Sequence, residues 1–334
     1  MPSSNPKSSK PKPSEVASET KKYYTPLIKH EYADRWQTCS YICRQPLVDI
    51  QFEDRPLSVQ APVFFVSIGD PVDVTMSWQS QSGTSIPFIC AANDRRPGGD
   101  WETGAVGYEE RLCRRSTLAA ALATPGQGSD HNDHYPIPIC AGIMSQDVVI
   151  FRGPHDKYEK LPAEHWRSLP VVSVPPPRWP KLTQNGTKYS FADEREMVRD
   201  KLRGALRICA YYRYDTVVIG DFGLGNGYRN PPQELAELWR EVFLYDPDLR
   251  GRIRYVMFVF EDPAQSTMQL ILDEMVKKAK GGSSGKSKTK GSSSSSNSNC
   301  PTDFQIFSQV FDNTEIQRVI SQPDARYGLD NLLV

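Results

Sequence analysis

Residues 90–118 read CAANDRRPGGDWETGAVGYEERLCRRSTL, and the order of residue types in them decides what fold this chain can make. The apolar run SIPFICAA (85–92) stops at Asn93, and the glycine pair Gly98-Gly99 follows almost at once. After a short loop, the adjacent carboxylates Glu109 and Glu110 open a segment of helical composition. Glycine lets main-chain N–H groups approach an anion closely, because no Cβ stands in the way. The carboxylates then lie beside whatever that anion carries. On these residues alone the stretch reads as a pocket for a phosphate-containing sugar, with Glu109 or Glu110 as the acid–base group.

Outward from this stretch, strand-like and helix-like segments alternate. APVFFVSI (61–68) is an apolar run ending at Gly69-Asp70-Pro71, with a short helical segment to Trp78. Residues 107–123 read as one helix, since the alanines and leucines there have good propensity and little β-branching. QDVVIFR (146–152), LPVVSV (169–174), DTVVIGDFG (215–223) and RIRYVMFVFE (252–261) read as further strands. Helices are expected at 191–214, where apolar residues recur at three and four, at 231–245, with prolines in the first turn, and at 264–280. Strands that run as continuous apolar segments suit a sheet covered on both faces. The expected fold is therefore a three-layer α/β/α domain. Ligands of such sheets bind outside the carboxyl ends of the strands.

Formal charges balance at 40 against 40, which argues against a general polyanion binder, so direct DNA binding is not expected. Seven cysteines, an odd count, and no apolar signal segment point to free thiols in the cytosol or nucleus. No apolar run approaches the roughly 20 residues needed to cross a bilayer. Residues 1–20, rich in Ser, Pro and Lys, are expected to be a disordered tail, and 21–280 the folded domain. Residues 281–300 form a low-complexity insertion. The last piece, 301–334, is expected to pack back through Phe304, Phe307 and Phe311. Cys39 and Cys43 are expected to be buried thiols, His131 and His134 to be solvent-exposed, and PPPRWP (175–180) to shape a strand end.

The turn GDFGLGNGYRNPP (220–232) supplies a second chemical clue. Its glycines cluster between a strand and a helix, where loop amides and the positive helix end can cradle a diphosphate. It is neither a P-loop nor the dinucleotide fingerprint, because the Lys-Ser/Thr ending and the required spacing are both missing.

These two loops together resemble the microbial-type (bacterial and fungal) poly(ADP-ribose) glycohydrolase family, built on the macro-domain fold. The family signature is a Gly-Gly-Gly turn, a spacer, and Gln-Glu-Glu. It is matched here by Gly98-Gly99-Asp100, seven residues, and Tyr108-Glu109-Glu110. The second family loop resembles Gly220 to Pro231, with one extra residue here. The resemblance runs from about residue 57 to about 262.

It implies an ADP-ribosyl glycohydrolase acting on poly(ADP-ribose) or ADP-ribosylated proteins, with ADP-ribose as product and with no metal or cofactor. Glu110 would protonate the leaving oxygen of the ribose–ribose bond and then help water reach the anomeric carbon. Glu109 would orient the leaving ribose, and Asn93 would bind the terminal ribose hydroxyls. Gly98 and Gly99, with Gly223, Leu224, Gly225, Asn226, Gly227 and Tyr228, would hold the diphosphate, Tyr228 as an aromatic against the ligand. Asp70 would meet the adenine amino group. Asp100 and Tyr108 depart from the family's glycine and glutamine, which points to altered substrate scope and to exo-type release of terminal ADP-ribose.

A general acid of this kind must hold a proton near neutral pH, so its pKa has to rise from about 4.3. A neighbouring carboxylate and partial burial push it up, against a helix-start dipole of roughly 0.3–1 kcal/mol. Two other readings stay open on the sequence: a non-catalytic ADP-ribose reader, and an interaction scaffold whose glycine loops are only structural.

Overall fold

The structure, a computed structural model, describes residues 11–52, 60–127, 133–281 and 300–322. The expectations for residues 1–10, His131, 282–299 and 323–334 lie outside the described residues.

Seven strands form one sheet: β1 (Tyr41–Cys43), β2 (Val63–Ile68), β3 (Phe88–Ala91), β4 (Gly142–Ile150), β5 (Arg167–Val174), β6 (Thr216–Ile219) and β7 (Tyr255–Phe260). Their order is β1-β4-β5-β3-β6-β7-β2. Strands β5, β3, β6, β7 and β2 are mutually parallel, while β4 runs antiparallel to β5 and the edge strand β1 antiparallel to β4. The helices are α1 (Pro13–Glu19), α2 (Thr25–Glu31), α3 (Pro46–Asp49), α4 (Pro71–Ser82), α5 (Tyr108–Arg115), α6 (Leu118–Leu122), α7 (Ala192–Tyr211), α8 (Pro232–Tyr245), α9 (Thr267–Gly281), α10 (Asp303–Val310) and α11 (Asn313–Ser321).

Successive strand residues point to opposite faces, and here both faces are apolar. Ile89, Val172, Val217, Ile219 and Phe258 join one core, with Leu206 of α7, Trp239 of α8 and Phe307 of α10. Cys90, Val171, Val218 and Val259, the alternate positions, join the other with Leu112 of α5 and Leu118 of α6. This is the three-layer α/β/α arrangement with a mixed sheet.

Four local differences have physical causes. The single helix expected at 107–123 is two, because Ser116 is extended (φ −148°, ψ 176°). At the break, Phe151 N donates to Arg115 O and Thr117 N donates to Val149 O, so β4 captures the chain. The tail boundary at residue 20 moves earlier: α1 buries Val16 and Ala17, and Thr20 Oγ1 donates to Arg114 O at 2.6 Å. His134 is buried, its Nδ1 3.1 Å from Ser40 Oγ, because the chain folds back over the β1 edge. Cys43 closes that edge strand and Cys39 lies just before it, both half-buried, and all seven cysteines are unpaired. In the N-terminal segment Tyr24 stacks on Phe151 at 4.4 Å within a cluster that holds Trp36 and Trp166, while Tyr23 stays exposed. In the C-terminal segment Phe307 and Phe311 are buried against Phe258.

Candidate active site

The parallel strands β2, β3, β6 and β7 end on the same edge of the sheet, so Asp70, Asn93, Asp221 and Glu261 follow them to one rim. Such a rim is where open α/β sheets take ligands. The first glycine turn lies there. Gly98 has φ +70° and Gly99 φ +57°, a backbone region L side chains rarely adopt. A Cβ on Gly98 would stand 2.7 Å from Cys113 Sγ, so residue 98 is glycine for space as well as for φ.

Beyond the turn, Glu109 and Glu110 sit in the first turn of α5 with different surroundings. Glu109 is buried, and its Oε2 accepts from Asn93 N at 2.7 Å. Burial, helped by the Glu110 charge, pushes its pKa well above the ordinary carboxylate range, while the Asn93 amide and Arg178 pull the other way. Glu110 is partly exposed and fills a gap bounded by two glycines, its Oε1 against Gly99 and its Oε2 against Gly107. Asn93 Oδ1 accepts from the amides of Arg95 and Arg96. That turns Asn93 Nδ2 towards Gly99 and the same gap.

The second loop converges on the first. Gly223 and Gly225 have φ +75° and +72°. Asn230 Nδ2 donates to Gly223 O at 2.8 Å and Pro177 O at 3.0 Å, tying the loop to the segment that follows β5. Tyr228 Oη donates to Ala91 O at 3.4 Å, tying it to β3. Burial, then the Glu109 charge, raise the Tyr228 pKa, so the phenol stands within electrostatic reach of the acid pair. Asn226 and Gly227 are exposed at the tip. Leu224 is buried in the apolar core, which leaves only its backbone to face a ligand.

Asp70 and Tyr108 are brought to each other more than to the gap. Asp70 Oδ1 caps α4, accepting from Val72 N at 3.0 Å and Asp73 N at 3.1 Å. Its Oδ2 accepts from Arg115 at 3.0 Å. Tyr108 packs edge-on against Phe88 and reaches Asp70 Oδ1 at 3.4 Å, which holds the ring against the apolar core. Asp100 is exposed and ion-paired with Arg96, so its charge is neutralised at the surface. Among the described residues no three His, Cys, Asp or Glu side chains gather as metal ligands would.

A family model described as microbial-type poly(ADP-ribose) glycohydrolase (PARG), catalytic domain, matches residues 15–153. Among solved structures, PARG from Thermomonospora curvata superposes with a TM-score of 0.57 at 16% identity, over 79% of this chain and 98% of that one. Residues 15–153 are thus similar to the catalytic domain of microbial-type PARGs, and the chain shares the fold of the solved ones. The same bacterial PARG bound to the inhibitor ADP-HPD gives 0.55 at 15% identity, over 78% and 98%. A variant of Deinococcus radiodurans PARG in complex with ADP-ribose gives 0.50 at 18% identity, over 72% and 95%. No curated protein sequence matches the chain.

On this PARG-like frame, five side chains that sequence reasoning gave no role prove important to the site. Arg114, buried, donates to Trp101 O (2.8 Å), Thr103 O (3.0 Å) and Ala105 O (2.5 Å), pinning the loop that delivers the acid pair. Arg115 ties α5 to the Asp70 turn. Arg178 lies over the Tyr228 ring at 5.3 Å. Thr267 Oγ1 accepts from Gly225 N at 2.8 Å and donates to the buried Asp303 at 2.6 Å. The two arginines were visible as a charged pair beside the acid motif. Nothing local marked Thr267 or Asp303, whose roles exist only once the C-terminal helices dock.

Proposed function

We propose that this chain hydrolyses the O-glycosidic ribose–ribose bond of poly(ADP-ribose), releasing terminal ADP-ribose, with Glu110 as general acid and base. The carrying observation is the gap itself. The Glu110 carboxylate lies between Gly99 and Gly107, with Asn93 Nδ2 turned towards it, at the rim where both glycine loops meet. A diphosphate on the loop amides would set the terminal ribose against Asn93 and Glu110. Holding reacting groups in such a geometry can supply roughly 7–11 kcal/mol of a barrier.

The Glu110 carboxyl gives its proton to the leaving ribose oxygen. As a carboxylate it then takes a proton from the water that adds to the anomeric carbon. Glu109 has the complementary part. Its buried carboxyl, favouring the protonated form, is fixed by the Asn93 amide and orients the leaving ribose without adding a second negative charge beside the diphosphate. Asp70, already committed to a cap and to Arg115, would offer adenine only the remaining acceptor capacity of its carboxylate. Tyr108, bulkier than the family's glutamine, is in keeping with exo-type cleavage. ADP-ribosylated proteins are the further substrate class. Among the described residues no helix is long and apolar enough to cross a membrane, and we place the activity in the cytosol or nucleus.

The test is Glu110→Gln with poly(ADP-ribose) as substrate and ADP-ribose release followed by chromatography. Turnover should fall by about 10²–10⁴-fold, the usual worth of a general acid–base group, with ADP-ribose binding retained by calorimetry. A parent protein that binds ADP-ribose but never releases it from polymer would instead be a reader. Oligomeric products early in digestion would remove the exo assignment.

A further inference from the structure

A cavity of about 760 Å³ opens beside the catalytic gap and shares Asn93 with it. Its walls are the Asn93–Arg96 loop, the segment 175–178 that follows β5, and Met197 and Lys201 of α7. Four cations line it, Arg95, Arg96, Arg178 and Lys201, against two carboxylates, Asp94 and Asp100. In a chain whose formal charges cancel, that local excess is notable.

Among the described residues one of these cations is in an ion pair. Arg96 is paired with Asp100, but Arg95, Arg178 and Lys201 have no ion-pair partner among the described residues. Lys201 is the telling one, at 7% exposure. Among the described residues its ammonium donates to the carbonyl of Ile139 alone. A buried charge is normally paired, because removing it from water is costly. Burial accordingly pulls the Lys201 pKa down, with Cys140 and Asp94 acting from further off in the opposite direction. An anion in the cavity would supply the missing counter-charge.

We propose that this cavity is the subsite for the pyrophosphate of the leaving portion of poly(ADP-ribose), the unit next to the one cleaved off. The inference rests on the glycosidase reading above and extends it. The terminal unit's diphosphate belongs to the two glycine loops, and its ribose to Glu110 and Asn93. The severed bond therefore lies at Asn93, and the rest of the polymer leaves past the far side of that residue, where the cavity begins. Every unit of that polymer carries a pyrophosphate, and Arg95 and Arg178 supply the charge-assisted donors that such a group prefers. Asp94, the remaining acid of the wall, keeps the cavity from being a general anion trap.

The experiment compares the parent with Arg95→Gln and with the Arg95→Gln/Lys201→Met double variant. Two substrates are used: long poly(ADP-ribose), and ADP-ribose carrying an uncharged aryl leaving group. The expected result is a fall of at least about tenfold in kcat/KM on polymer, with the aryl substrate unchanged. Calorimetric titration of inorganic pyrophosphate into the ADP-ribose-saturated protein should show a binding event that the double variant loses. Equal losses on both substrates, no loss on either, or unaltered pyrophosphate binding would each overturn the proposal. So would a loss confined to mono-ADP-ribosylated peptides with acidic flanks, which would make the cavity a site for the acceptor protein. If the double variant fails to fold, Arg95→Gln carries the test alone, since Arg95 is exposed. A parent that turns over neither substrate sinks the glycosidase reading and the leaving-group assignment with it. The pyrophosphate titration would still say whether the anion site exists.

Discussion

A Cβ built on Gly99 would stand 2.6 Å from Glu110 Oε1 and 3.2 Å from Asn93 Nδ2. Those are the two atoms proposed to face the reacting sugar, so the residue at 99 sets where both can be. Gly99→Ala must also hold a left-handed φ, at roughly 1–2 kcal/mol. We expect kcat on poly(ADP-ribose) to fall by about a hundredfold, the scale of a misplacement near 1 Å. Gly104→Ala, at a glycine with open space around it, should leave kcat within twofold. Equal kinetics in the two variants would mean the Glu110 carboxylate is not held by this turn. The residue types of the site were readable in the sequence, because Asn, Gly-Gly and Glu-Glu are each used for chemistry few other residues supply. That Glu109 is the buried one and Glu110 the one against the gap was not derivable from two adjacent identical side chains.

The second loop shows what elements add. Gly225 has its N–H held by Thr267 at the start of α9, and Thr267 is held by Asp303 at the start of α10. A helix beyond the low-complexity stretch thus braces a loop expected to hold phosphate. Thr267→Val removes the hydroxyl at nearly constant volume. It leaves Gly225 N–H and Asp303 short of a partner, a cost of about 1–3 kcal/mol. We expect ADP-ribose Kd to rise five- to twentyfold, with kcat on bound substrate little changed, and Thr267→Ser to restore most of the affinity. Calorimetry and steady-state kinetics together check this, since a purely structural role would lower kcat and affinity in parallel. Helix and strand positions were mostly legible here from apolar periodicity. The break at Ser116 was not, because it comes from pairing with β4 and not from propensity.

At the scale of the molecule, acids from separate elements gather on one rim. Asp221 follows β6, Glu261 and Asp262 follow β7, and Asp303 opens α10. Burial, then the charge of Asp303, push Asp221 up to about 7 from an ordinary value of 3.8, with Arg111 opposing. An acid raised on folding stabilises the fold at low pH, where it is protonated in both states. That contribution is lost as pH rises through the folded pKa. Asp221→Asn should therefore match the parent's Tm near pH 4 and exceed it by a growing margin from pH 5 to pH 8. A Tm difference that stays flat across that range would show that Asp221 is not held protonated by its surroundings.

The sequence by itself determined the three-layer α/β/α class, the two glycine loops and the acid pair, because each depends on periodicity or on residue types within a short window. Tertiary structure alone decided the rest. It placed Arg178 and Lys201 around one cavity, clamped Gly225 through Asp303, and buried His134 and the Val16–Ala17 face of α1. Each of these depends on contacts between residues dozens of positions apart, where burial and the local sum of charges, and not the identity of neighbours in the chain, set what a side chain does.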